Sequence, residues 1–128
     1  MKKQILIDTD VIVDFLRGYA KAISYVENHS AEIVLSSIVV AELYAGVRDD
    51  ERSRLDGFVT LFPILPITSE IAKTGGLFKR DYHKSYGIGL ADALMAATAV
   101  TEDAQLKTLN TKHYPMFKGI KAAYSKKN

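Results

Sequence analysis

The 128-residue chain has no cysteine, only three prolines, and no hydrophobic run near the roughly 20 residues a membrane helix needs. Without cysteine there are no disulfides, thiolate metal sites, iron–sulfur clusters or thiol nucleophiles. The opening run Met1-Lys2-Lys3-Gln4-Ile5-Leu6-Ile7-Asp8 turns acidic after three apolar residues, too short for the core of a secretion signal. Internal repeats, low-complexity stretches and Pro/Gly/Ser-rich linkers are lacking as well. The expectation is a soluble, cytoplasmic protein with one domain over residues 1–128 and no membrane partner.

What is present is globular usage. Hydrophobic residues at 48% and charged residues at 25% argue against disorder, and the length suffices to bury a core without staples. Charge is uneven. Residues 1–106 hold 11 Lys and Arg against 15 Asp and Glu, net −4, whereas residues 107–128 hold six Lys and no acid, net +6. A basic C-terminal segment beside an acidic body suits a partner carrying phosphates, and equally a solvated tail.

Short apolar runs rich in Ile, Val and Leu predict strands at 4–7, 32–35, 64–67 and 106–109, with a fifth candidate at 120–124. Between them, helical spacing and cap residues predict helices over 10–16 and 19–29, then from Ser36 or Ser37 to Gly46, and over 50–62. A longer helix starts at Thr68, with Glu70 in its first turn, and an Ala-rich one runs over 90–101. Gly75-Gly76 inside the longer helix is unfavourable by about 1 kcal/mol per residue and marks a kink or a close helix contact. Strands alternating with helices predict an α/β fold with a mostly parallel sheet of four or five strands and helices on both faces. Ligands of such sheets sit beyond the carboxyl ends of the strands, at a topological switch point.

Four polar residues bear on that edge. Asp8 closes the first strand and Asn110 follows the fourth. Asp92 lies in the first turn of the Ala-rich helix, and Glu42 is embedded in the apolar run Ile38-Val39-Val40-Ala41-Glu42-Leu43-Tyr44-Ala45, which reads as largely buried. No basic residue stands within four positions of Glu42 or Asp92, whereas Asp14 has Arg17 three residues on. Taken singly, Asp8 and Asp92 read equally as helix caps, Glu42 as the partner of a distant Lys or a solvent-facing acid, and Asn110 as a turn residue. If the acids converge, two like charges at about 4 Å repel by about 4 kcal/mol at an effective dielectric near 20. A divalent cation removes that conflict, and an all-oxygen donor set suits Mg²⁺ or Mn²⁺ rather than Zn²⁺.

The run Ile7-Asp8-Thr9-Asp10-Val11-Ile12-Val13-Asp14-Phe15-Leu16-Arg17-Gly18 resembles the first motif of PIN-domain nucleases, and more narrowly of VapC-type toxins. Ser37 to Gly46 resembles their second motif, with Glu42. Leu90 to Ala99 resembles the third, with Asp92. Thr108-Leu109-Asn110-Thr111-Lys112-His113-Tyr114 resembles the fourth. The ordered set spans nearly the whole chain. It implies a PIN-like three-layer α/β/α fold and a ribonuclease that cleaves single-stranded or loop RNA with Mg²⁺ or Mn²⁺. Asp8, Glu42 and Asp92 are then the metal-binding acids and Asn110 the fourth catalytic position, with Thr9 and Thr108 as supporting hydroxyls. Asn110 departs from the Asp of many relatives and removes one negative charge; Asp10 stands where relatives often carry a neutral residue. The resemblance further implies a cognate antitoxin protein and a homodimer.

RNA approaching an acidic pocket needs cations to hold its flanking phosphates, and Arg17, Lys112 and Lys118 are the candidates, with Arg48 beside them. His29, His83 and His113 read as surface or structural residues. Two other readings stay open. Receiver domains and aspartyl-phosphate phosphatases also place an acid after a first strand, but the former want an Asp where Ile67-Thr68-Ser69 stands, and the latter are larger. A non-catalytic RNA-binding or scaffold module of the same fold is the alternative from outside enzymology.

Overall fold

The computed structural model describes residues 3–126. Met1, Lys2, Lys127 and Asn128, the ends of the N-terminal run and of the basic segment, lie outside the described residues. Strands β1 (Ile5–Ile7), β2 (Ile33–Ser36), β3 (Ile64–Leu65) and β4 (Gln105–Lys107) form one sheet in the order β3-β2-β1-β4. All pairings are parallel, with Ile5 opposite both Ile33 and Gln105, Leu6 opposite Val34 and Leu106, and Leu35 opposite Ile64. Every residue of β1 and β2 is buried, as expected of parallel strands covered on both faces.

The helices are α1 (Thr9–Leu16), α2 (Ala20–Asn28), α3 (Ser37–Ala45), α4 (Arg52–Val59), α5 (Ser69–Tyr86) and α6 (Leu90–Thr101), with 3₁₀ turns at Asp49–Glu51 and Thr111–His113. Their starts follow cap chemistry. The Ser36 hydroxyl accepts the Ile38 N–H at 3.2 Å, and the Thr68 hydroxyl accepts the Ile71 N–H at 3.1 Å. Helix α5 stops at Gly87, whose φ of +64° is the left-handed conformation that glycine adopts without strain. The Gly75 expectation resolves as a close helix contact. A Cβ there would lie 2.7 Å from Leu94 Cδ2 and 3.2 Å from Leu94 Cα, so the bare glycine lets α5 lie against α6.

Several expectations change. The helix expected over 50–62 splits into the 3₁₀ turn and α4. It ends early because the Thr60 hydroxyl bonds back to the Gly57 carbonyl at 2.8 Å and Pro63 drives the chain extended. Strand β4 ends at Lys107 because the next two residues turn their polar groups onto carboxylates of α1 and its cap. The segment 120–124 is not a strand. Gly119 has φ +72°, and the segment's backbone bond to the sheet side is Ala123 N–H to the Thr108 carbonyl at 3.2 Å. Side chains hold it instead: the Tyr124 hydroxyl donates to Asp14 Oδ2 at 2.6 Å and Lys126 Nζ lies 2.9 Å from the same carboxylate. Asp14 is therefore taken by the C-terminal segment and not by Arg17. Helix α3 is not largely buried either. Only Val39 and Leu43 are, because one face packs inward while Ala41, Glu42 and Ala45 remain exposed.

Candidate active site

In the order β3-β2-β1-β4, the chain moves outward from β1 to one side and returns to its other side only with β4. The switch point therefore lies between β1 and β4. Asp8 follows β1 directly and Thr108 follows β4, and the Asp8 N–H donates to the Lys107 carbonyl at 2.9 Å, so the two chain ends leave the sheet together.

Asp8 is 8% exposed and is also the N-cap of α1. Its Oδ1 accepts the Thr9 N–H at 2.8 Å; its Oδ2 accepts the Thr108 hydroxyl at 2.9 Å and the Tyr114 hydroxyl at 2.8 Å. Burial pushes its carboxyl above the ordinary range, against the pull of the bonds from Tyr114, Thr9 and Thr108, and the Asp92 charge pushes the same way as burial. Asp92 lies in the first turn of α6 without capping it; Gly89 is the N-cap. Its Oδ1 lies 3.2 Å from the Tyr114 hydroxyl and shares that group's one proton with the nearer Asp8 Oδ2, and its Oδ2 lies 2.9 Å from His113 Nδ1, which donates there. Tyr114, 1% exposed, thus spans the two acids. Burial first, then the charges of Asp8 and Asp92, hold its phenol far above the usual range, so it stays a proton donor.

Glu42 is brought in through Thr9, whose hydroxyl donates to Glu42 Oε1 at 2.9 Å. Partial desolvation raises the Glu42 carboxyl; the Thr9 bond opposes this, and the charges of Asp8 and Asp92 add to it. Asp10 braces the site from behind. Its Oδ1 accepts its neighbour Val11 N–H at 2.8 Å and its Oδ2 the Leu109 N–H at 2.9 Å, tying α1 to the chain leaving β4. Its carboxyl is pushed up to about 6, first by burial and then by the Asp8 charge. Asn110 reaches the expected sheet edge but is exposed, and its amide nitrogen stands 3.2 Å from His113 Nε2 and 3.1 Å from Nδ1. With Nδ1 donating to Asp92, the amide donates to Nε2. Asn110 thus meets Asp92 through His113.

Two members escaped the sequence reading: Tyr114 carried no assignment, and His113, read as a surface or structural residue, lies against Asp92. Both end the run that begins at Thr108, but neither carries the charge that singled out the acids, and an aromatic ring reads as core. His29 and His83 stay structural: His29 stacks on Tyr25 at 4.2 Å, and His83 lies 2.9 Å from Lys79 Nζ near the α5 end.

The donors fit a hard cation in kind. Asp8, Glu42 and Asp92 offer oxygen only, Asp8 and Glu42 are disfavoured by the charges of other acids of the set, and among the described residues no Lys or Arg hydrogen-bonds to any of them. As they stand, no three such side chains among the described residues close around a common point.

Beside Thr9 and Glu42 opens a cleft of about 120 Å³ with Leu43 and Val47 in its lining and Arg17 and Arg54 also on its walls. Lys112 is exposed on the turn that carries His113. Lys118 lies elsewhere, in a groove along β4 with Lys3, Lys107 and Lys121 that shares no residue with the carboxylate site. Arg48 is committed to Glu51, with Nη2 to Oε2 at 3.2 Å.

The PIN domain family model matches residues 5–116. Among curated proteins, Ribonuclease VapC19 of Mycobacterium tuberculosis is 42% identical over 93% of this chain and 98% of its own length. Ribonuclease VapC10 of the same organism is 37% identical over 94% and 93%. Among solved structures, a toxin-antitoxin complex from Klebsiella pneumoniae matches with a TM-score of 0.81 and 25% identity over 94% of this chain and 98% of that one.

Proposed function

This chain belongs to the PIN-domain family, among the VapC ribonucleases, and from that premise we propose that it is a Mg²⁺- or Mn²⁺-dependent endoribonuclease, the toxin of a toxin–antitoxin pair. The observation that carries the reading is the meeting of Asp8 and Asp92, 84 positions apart, on one buried hydroxyl at the switch point, with Glu42 attached through Thr9. Asp8, Asp92 and Glu42 are the residues that would hold the ion. A bound divalent cation supplies an oriented, acidified water and offsets charge on the phosphoryl oxygens.

The chain's own groups do the rest. Thr108 and the Thr9 N–H occupy lone pairs of Asp8 and fix its plane, while the Thr9 hydroxyl fixes Glu42. His113 orients Asp92 and is in turn held by Asn110. Arg17 on the cleft wall and Lys112 on the turn flank the acids and hold phosphates of the RNA strand on either side of the cleaved bond, with Lys118 further along the strand. Single-stranded or loop RNA of the cytoplasm is the substrate, because a recessed carboxylate pair at a sheet edge, Asp8 buried and Asp92 half-buried, admits an unpaired strand more readily than a duplex. A cognate antitoxin and a second copy of the chain are the proposed protein partners. No helix of the described residues is long and apolar enough to cross a membrane.

The test is cleavage of a mixed-sequence RNA by the purified protein with Mg²⁺ or Mn²⁺, repeated with EDTA and with Asp8→Asn and Asp92→Asn. Loss of cleavage in all three supports the reading, and cleavage that survives them overturns it. The neutral Asn110 and the open arrangement of the acids favour a second reading, an RNA-binding module without catalysis. RNA binding without cleavage, and no ion-induced rise in melting temperature, would select that one.

A further inference from the structure

We propose that Tyr114 is the positioning residue of the ion site, a strut whose hydroxyl holds Asp8 and Asp92 in apposition before any ion arrives. The inference rests on the metal-dependent reading above and deepens it. Asp8 hangs from the end of β1 and Asp92 from the first turn of α6, and the sheet does not join those elements by backbone bonds at this point. Two carboxylates brought together without a cation repel, and side chains free to rotate would turn apart. The one proton of the Tyr114 hydroxyl is shared in a three-centre bond, mainly with Asp8 Oδ2 at 2.8 Å and more weakly with Asp92 Oδ1 at 3.2 Å, and its ring is fixed by burial.

Lone-pair accounting shows what the strut leaves open. A carboxylate oxygen has two acceptor sites. Asp8 Oδ2 is filled by Thr108 and Tyr114, whereas Oδ1 has only the Thr9 N–H and keeps one site. Asp92 gives one site of Oδ1 to Tyr114 and one of Oδ2 to His113, and keeps one on each oxygen. The hydroxyl therefore directs Asp8 toward an incoming ion through Oδ1, while both oxygens of Asp92 stay available. Partners that orient ligands in this way typically change metal affinity by about 10–100-fold when removed.

Tyr114→Phe keeps the ring and deletes the strut. The experiment is Mn²⁺ binding to the purified protein, followed by the loss of the free-ion electron paramagnetic resonance signal, for the wild type and for Tyr114→Phe. Melting curves with EDTA establish that both are folded at the binding temperature. The expected result is a Kd for Mn²⁺ at least about tenfold weaker in Tyr114→Phe, with cleavage of a mixed-sequence RNA oligonucleotide restored toward the wild-type kcat at saturating Mn²⁺. An unchanged or tighter Kd overturns the strut, the tighter value showing that the hydroxyl competes with the ion. A kcat that stays low at saturating Mn²⁺ also overturns it, because the hydroxyl then acts on substrate. Should Tyr114→Phe not fold, a crystal structure of the wild-type protein grown in EDTA decides instead. Asp8 Oδ2 and Asp92 Oδ1 both within hydrogen-bond distance of the Tyr114 hydroxyl support the strut, and an Asp92 turned away from that hydroxyl overturns it. Failure of wild-type protein to bind Mn²⁺ at all is a failure of the metal-dependent reading itself, and is thereby told apart from failure of the strut.

Discussion

Thr108 donates its hydroxyl to Asp8 Oδ2 at 2.9 Å, joining two residues 100 positions apart where β1 and β4 end side by side. The same oxygen of Thr108 accepts the Asn110 N–H at 3.1 Å, so one buried hydroxyl serves both the acid and the turn after β4. Thr108→Val removes these bonds, and the hydroxyl's longer contact to Asp10 Oδ2 at 3.3 Å, with little change of shape. It is expected to cost about 1–3 kcal/mol, the price of leaving buried polar groups unmet. Thr108→Ser should recover most of it. Urea unfolding of the three proteins checks this, and equal midpoints would contradict it.

Gly75 and Gly76 are adjacent and should respond oppositely. A methyl at Gly75 meets Leu94 at 2.7 Å, whereas one at Gly76 meets nothing within 4 Å. Gly75→Ala is expected to destabilise by about 1–3 kcal/mol through overpacking, and Gly76→Ala to stabilise by up to about 1 kcal/mol. Thermal melts of both variants decide it; a stabilising Gly75→Ala would show that the α5–α6 contact is loose.

Asp10 gives the metal-free protein an unusual pH response. Its carboxyl is pushed up to about 6 in the fold, from an ordinary value of 3.8, by burial and then by the Asp8 charge. Between those values the folded chain holds more protons than the unfolded one, so stability falls as pH rises through the window and the loss is complete above about 6. The raised carboxyls of Asp8 and Glu42 act in the same direction. In EDTA, the urea midpoint should therefore rise as pH is lowered from about 7 to about 5. A midpoint that falls steadily over that range would contradict the desolvation of these carboxyls.

Glu42 separates activity from stability. It is exposed, and it accepts a hydrogen bond from the Thr9 hydroxyl. Glu42→Gln should leave stability within about 0.5 kcal/mol, as surface changes do, yet lower RNA cleavage by about 10–100-fold. Parallel melts and cleavage time courses check both, and an unchanged rate would remove Glu42 from the site.

The alternation of strands and helices was legible because apolar runs of Ile, Val and Leu are bounded by cap residues, as at Asp8, Ser36 and Thr68. The acids were legible for a different reason: Glu42 and Asp92 have no basic neighbour in sequence, so their charge has to be answered from afar. What stayed hidden depends on side chains meeting across long separations. Tyr114 looks like any core aromatic until its hydroxyl is seen between two carboxylates. Arg17 sits beside Asp14 in sequence, yet Tyr124 and Lys126 take that acid from more than 100 positions away. Helix α3, apolar all round, gave no clue to which face is inward, and so Glu42 looked more enclosed than it is.

The central claim is that Asp8 and Asp92 are gathered at the β1–β4 switch point to hold a divalent cation. Crystals grown with Mn²⁺ and examined by anomalous diffraction test it directly. The account predicts an anomalous peak within coordination distance of one oxygen of Asp8 and one of Asp92. A fully occupied Mn²⁺ elsewhere on the protein, with no peak between these two residues, would contradict it.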